Sequence, residues 1–148
     1  MNEKVVFLVE DNDDDIELTR RSFEKQQLPV KIVVAHDGQE ACDYLFAPGS
    51  HDGGARRDLP AMILLDLKLP KLDGFEVLGR IRAHSRTKYI PVIILTSSSQ
   101  MSDKIQAYAA GANSFVRKPV DFTEFVDTTQ QLGMYWLMVN DPPPVVVQ

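Results

Sequence analysis

Five short apolar runs punctuate the chain at helix-length intervals: "VVFLV" at 5–9, "VKIVVA" at 30–35, "AMILLD" at 61–66, "PVIILT" at 91–96 and "NSFVRK" at 113–118. The first four are continuous rather than alternating. A strand with one face in water alternates apolar and polar residues, whereas a strand covered on both faces does not. Such runs therefore demand helices on both sides of a sheet, and the segments between them suit that purpose. "DDIELTRRSFEKQQL" places Ile16 and Phe23 on one helical face. Asp37 and Gly38 open a second helix over about 38–47, and "DGFEVLGRIRAH" starts with Asp73 and carries Glu76 three residues on, a capping box. A fourth helix over about 101–110 ends at Gly111, and Asp121 with Glu124 repeats the box before the last. The alternation predicts a doubly wound α/β fold, (βα)5, with a parallel sheet.

Size and composition limit the functions open to such a fold. The chain has 148 residues, a hydrophobic share of 44% and a net charge of −5 without a basic block. That suits one globular domain and excludes the clustered Lys/Arg footprint of a nucleic-acid binder. The single cysteine, Cys42, forms no intrachain disulfide and no Cys-based metal site. No apolar stretch approaches the ~20 residues needed to cross a bilayer, and the N-terminus is no signal peptide, so the expected compartment is the cytoplasm. His36, His51 and His84 lie in no ligand spacing, and the chain has no G-x-G-x-x-G, Walker A or H-E-x-x-H pattern.

In an open parallel sheet, ligands bind beyond the carboxyl ends of the strands. The first run ends in Glu10 and Asp11, the third in Asp66, the fourth in Thr96 followed by Ser97, and the fifth in Lys118 followed by Pro119. With strand order 2-1-3-4-5, the first and third strands are neighbours and their acids meet. Clustered carboxylates raise one another's pKa, and a divalent cation such as Mg²⁺ relieves them through oxygen ligation. A carboxylate nucleophile, a hard cation, a lysine and a hydroxyl make a phosphoryl-transfer site. Singly, each group has a plainer reading. Asp66 suits a turn or a cap, "EDNDDD" an exposed helix start, and Lys118 a loop. Only the set, each member at its own strand end, points to chemistry.

"LVEDND", "LLDLKLPKLDG", "VIILTSS" and "GANSFVRKP", with their spacing, resemble the receiver domain of two-component response regulators over residues 3–137. The resemblance implies the flavodoxin-like receiver fold, with Asp66 as the phosphorylation site. It implies Mg²⁺ held by Asp11, Asp66 and the Lys68 carbonyl, with Glu10 acting mainly through a water. Lys118 would contact the phosphoryl group and Thr96 would move to hydrogen-bond it. The switch aromatic would be Phe115, which lacks the hydroxyl of the tyrosine often found there, and the Lys118–Pro119 bond would be cis. The phosphoryl donor would be a sensor histidine kinase, and the responding surface would be the face of the fourth helix, fifth strand and fifth helix. An aspartate-dependent phosphohydrolase is the enzymatic alternative, but it would want a second acid where Lys68 stands, and a cap domain. A receiver kept only as a binding module is the third reading.

The loop at 48–58 and the ending "QLGMYWLMVNDPPPVVV" resemble the small single-domain regulators of bacterial and cyanobacterial phytochromes. The last helix sets Phe122, Phe125, Val126, Thr129, Leu132 and Trp136 on one stripe, expected to pack on the sheet, with Met134, Tyr135 and Met138 opposite. The expected division is a receiver domain over 1–138 and an extended tail over 139–148, in which "VVV" has strand propensity and no partner of its own. With no effector domain expected, output would pass through protein contact, and a homodimer with exchanged tails follows.

Overall fold

A computed structural model describes residues 3–46 and 59–144; the loop at 48–58 and the "VVV" of the tail lie outside the described residues. Strands β1 (Lys4–Val9), β2 (Val30–Ala35), β3 (Met62–Leu65), β4 (Val92–Thr96) and β5 (Ser114–Arg117) alternate with helices α1 (Asp13–Gln26), α2 (Gly38–Phe46), α3 (Gly74–Ala83), α4 (Met101–Ala109) and α5 (Phe122–Gly133). The sheet order is β2-β1-β3-β4-β5, and every pairing is parallel. This is the doubly wound arrangement that the unbroken apolar runs require.

Alternate strand residues serve two cores. Phe7, Val9, Ile63, Leu65, Val92 and Ile94 pack with residues of α2, α3 and α4, among them Leu45, Leu78 and Ala107. Val6, Leu8, Met62, Leu64 and Ile93 pack on the other face with Ile16 and Phe23 of α1 and with Leu137. β3 and β4 are buried along their whole length. Neither face of these strands meets water, so neither carries a polar residue before the strand ends.

The helix starts are built as their sequences indicate. The Glu76 amide donates to Asp73 Oδ1 (3.0 Å) and the Glu124 amide to Asp121 Oδ2 (3.0 Å). Gly111 ends α4 at φ +106°, a conformation open to glycine. Gly74 starts α3 against the backbone that carries Asp66: a Cβ there would lie 2.3 Å from the Asp66 carbonyl oxygen. That close approach fixes the strand-to-helix corner beneath the acid.

The end of the chain departs from the expected stripe. After α5 the helix widens into a π segment, Met134–Val139, closed by the Asn140 amide donating to the Tyr135 carbonyl (2.6 Å). Phe125 and Thr129 are buried and Val126, Leu132 and Trp136 partly so, as the stripe requires, but Phe122 is exposed and Leu137 takes the most buried position of the segment. A projection at 100° per residue assumes i→i+4 bonding. The i→i+5 turn rotates later residues differently and brings Leu137 onto Val6, Leu8 and Met62. Met134, Tyr135 and Met138 are exposed, as expected.

Leu137→Ala should therefore destabilise the protein by about 2–5 kcal/mol, the range for a buried leucine. Met138→Ala, one residue on and exposed, should change it by less than about 0.5 kcal/mol. Urea unfolding of the two variants checks the assignment, and equal losses would place Leu137 outside the core.

Candidate functional site: a lysine among four carboxylates

β1, β3 and β5 end at one rim of the sheet, and their next residues carry the charges. Glu10 follows β1, Asp66 follows β3 and Lys118 follows β5. The register aligns them. Val9 pairs with Leu65, the Asp66 amide donates to the Val9 carbonyl (3.1 Å), and the Lys118 amide donates to the Thr96 carbonyl (2.7 Å). Glu10 and Asp66 are buried, whereas Asp11 faces solvent. One oxygen from each of these three carboxylates lies within 4.8 Å of the others.

The ammonium of Lys118 sits against this group. It donates to Glu10 Oε1 at 2.7 Å, Asp15 Oδ2 at 2.8 Å and Asp66 Oδ2 at 3.2 Å. Its side chain is only 10% exposed, so these pairs are poorly screened. Burial disfavours the charged lysine, but the hydrogen bonds it donates to Asp15 and Glu10 and the charge of Asp66 outweigh it and raise the pKa above the usual lysine range. The pKa of Glu10 rises too, which for an acid favours the neutral form. Its burial, with the charge of Asp66 added, pushes the carboxyl up to about 7 against the opposing bond from Lys118. The remaining oxygens have partners: Glu10 Oε2 accepts from the Asn12 amide (3.1 Å) and Asp66 Oδ1 from the Lys68 amide (3.3 Å).

The donor set of Glu10, Asp11 and Asp66 is all oxygen, anionic and short of positive charge. That fits a hard divalent cation, which prefers carboxylates and water. Asp11 is the solvent-facing member of the set.

Other expected residues lie further from this network. Thr96 is fully buried at the end of β4, and its Oγ1 accepts from the Ser98 amide (3.3 Å) rather than bonding to the acids. Phe115, opposite Ile94 on β5, is partly buried and packs into the core shared with α3 and α4. Lys68 is exposed and meets Asp66 through its backbone amide. The Lys118–Pro119 bond is trans, contrary to the resemblance, since the described residues contain no cis peptide. Trans is the lower-energy form of an X–Pro bond by about 0.5–1 kcal/mol, and Lys118 reaches its carboxylates from it.

Two participants escape a reading by motif. Asp15 sits in an acidic run that suits any helix start, and only the tertiary structure turns it to Lys118. Ser98 is buried, donates its hydroxyl to Asp103 Oδ2 (2.5 Å) and accepts from the Gln100 amide (3.2 Å), tying the end of β4 to the first turn of α4. Its signal is the Ser-x₄-Asp spacing ahead of a helix, which is common elsewhere.

Removing the positive charge should expose the repulsion it holds in check. Lys118→Met keeps the stem but leaves buried acids unpaired, and the expected loss is about 3 kcal/mol. Millimolar MgCl₂ should recover part of that loss in urea unfolding. No loss in metal-free buffer would show that the ion pairs carry no stability.

Comparisons with known proteins follow the same lines. Residues 6–130 match the model of the response regulator receiver domain family. The chain is 41% identical over 139 residues to the probable methanogenesis regulatory protein FilR2 of Methanothrix harundinacea, covering 94% of this chain and 87% of that protein. It is 33% identical over 134 residues to response regulator Rcp1 of Synechocystis, covering 90% and 89%. A solved Mn²⁺-bound form of Rcp1 superposes with a TM-score of 0.83, covering 95% of this chain and 99% of that one at 31% identity. The phosphorylated cyanobacterial phytochrome response regulator RcpA superposes with a TM-score of 0.87, covering 96% and 99% at 34% identity.

Proposed function

We propose, on the premise that this chain belongs to the response regulator receiver domain family, that it is a phosphoryl-accepting switch in which Asp66 takes the phosphoryl group of a sensor histidine kinase. The observation that carries the reading is the meeting of Glu10, Asp11 and Asp66 within 4.8 Å at the rim where Lys118 is anchored. An Asp66 carboxylate oxygen forms the new bond to phosphorus as the phosphorus–nitrogen bond of a phosphohistidine breaks. The departing imidazole keeps the electron pair and takes up a proton. Lys118 supplies positive charge to the transferred oxygens, and Thr96 turns its hydroxyl from the Ser98 amide toward them. Phe115 follows as the neighbouring core rearranges.

Mg²⁺ would be held by Asp11, Asp66 and the Lys68 carbonyl, with Glu10 through a water, and would supply positive charge to balance the phosphoryl oxygens. The Mn²⁺-bound form of Rcp1 supports a divalent ion at such a site. The chain acts as a signalling switch that catalyses its own phosphotransfer and dephosphorylation. Output passes by protein contact, a role supported by the exposed Met101, Ile105 and Tyr108 of α4 and the exposed Phe122 of α5. The likeness to RcpA and Rcp1 supports a phytochrome-type kinase upstream, although FilR2 is a probable methanogenesis regulator. No described helix is long and apolar enough to cross a membrane; the proposed setting is the cytoplasm.

The proposed assembly is a homodimer. Residues 1–138 form the receiver and 139–148 an arm. The exposed Met134, Tyr135, Met138 and Val139 make an apolar surface that a second copy would cover.

Incubation with acetyl phosphate and Mg²⁺ should raise the mass of the protein by one phosphoryl group, and Asp66→Asn should abolish the increase. Labelling that survives in Asp66→Asn would move the site elsewhere. Light scattering tests the assembly. The full chain should be dimeric at tens of micromolar and a chain ending at Val139 more weakly so, while two equal dimers would remove the arm from the interface.

A further inference from the structure

Lys118 is held by three carboxylates, and they are not equivalent. Glu10 and Asp66, at 2.7 and 3.2 Å, also belong to the cluster suited to a cation. Asp15, at 2.8 Å, does not. It comes from the first turn of α1, where its amide donates to Asn12 Oδ1 (2.9 Å) and its carbonyl accepts from Thr19 Oγ1 (2.8 Å). Its backbone is thus fixed on both sides, and its carboxylate has no second role at the rim.

We propose that Asp15 is the positioning residue for Lys118, holding the ammonium beside Asp66 when Glu10 and Asp66 turn to a cation or to an incoming phosphoryl group. The proposal rests on the reading that Lys118 serves a phosphoryl group on Asp66. Lysine and cation compete for the same carboxylate oxygens. An ammonium on a flexible four-carbon stem has three donors and no fixed fork. Once a cation draws off the oxygens of Glu10 and Asp66, two of its three anchors weaken together. Asp15 is the anchor that neither cation nor phosphoryl group claims, so it keeps the lysine in place for the transfer. Asp13 and Asp14 share the first turn of α1 and its dipole, and both are exposed. A role in the helix dipole alone would make Asp14 and Asp15 interchangeable.

A double-mutant cycle separates the two. The rate of phosphorylation by acetyl phosphate in saturating Mg²⁺, read by intact mass, is measured for wild type, Asp15→Asn, Lys118→Met and the double variant, with Asp14→Asn as the control of equal charge change. Asp15→Asn should slow the wild type about tenfold and the Lys118→Met background less than about twofold, a coupling of the size found between contacting groups. Asp14→Asn should change the rate by less than about twofold, and Asp15→Glu should recover at least half of the loss, which needs no Lys118 variant to fold. An equal slowing by Asp15→Asn in both backgrounds, or an equal slowing by Asp14→Asn, overturns the positioning role and leaves the phosphoryl switch standing. A wild type that takes no phosphoryl group overturns both.

Discussion

The ion pairs of Lys118 are the constraint on which the rest of the site depends. Glu10 and Asp66 are buried within reach of each other, and two such charges cannot be held there without compensation. Lys118 supplies it from the next strand but one, across β4. The sheet order makes this possible: β1 and β3 are hydrogen-bonded neighbours, and β5 lies beyond β4. Each strand delivers its charge just past its last paired residue, so the apolar interior ends where the charges begin. Gly74 keeps the α3 corner tight against the Asp66 backbone, which holds the β3 charge in register with the others.

The balance is incomplete by design of the residues present. One ammonium faces three carboxylates, and a fourth, Asp11, stands in solvent. Burial, with the charge of Asp66 added, holds Glu10 up at about 7 despite its bond from Lys118. A rim in this condition gains from added positive charge, and in the proposed reading an incoming phosphoryl group deepens that need. The same shortage of positive charge thus accounts for both the cation and the coupling of cation to phosphoryl transfer in the proposed reading.

Much of this was legible in the sequence, for reasons that can be traced to particular residues. Continuous apolar runs mark strands covered on both faces, and a polar residue that ends such a run must sit at the rim. Glu10, Asp66 and Thr96 were found by that rule, Lys118 by its place at the end of the fifth run, and the caps at Asp73 and Asp121 by local spacing. What escaped depends on geometry that spacing does not encode. Asp15 looks the same as Asp13 and Asp14 until the side chain of Lys118 reaches it. Leu137 looks peripheral on a regular helix and becomes core only because the turn widens to i→i+5 bonding. The trans Lys118–Pro119 bond runs against a family expectation that no residue of the sequence enforces.

The site also has a mechanical asymmetry. β1, β3 and β4 bury most or all of their residues, so Glu10 and Asp66 stand on the firmest part of the fold. β5 is at best partly buried at every position, and α4 buries only Ala107. Lys118 is thus the one member of the charge cluster carried by a loosely held edge. In the proposed reading, a change of charge at Asp66 would leave the members on β1 and β3 in place and be taken up by β5 and by the α4 turn that Ser98 and Asp103 tie to β4. Elements with little buried apolar surface open at lower free energy than the core. The exposed Met101, Ile105, Tyr108 and Phe122 lie on this same edge. In the proposed reading, the surface for a partner and the segment that responds to the rim therefore coincide, because the same shortage of burial underlies both.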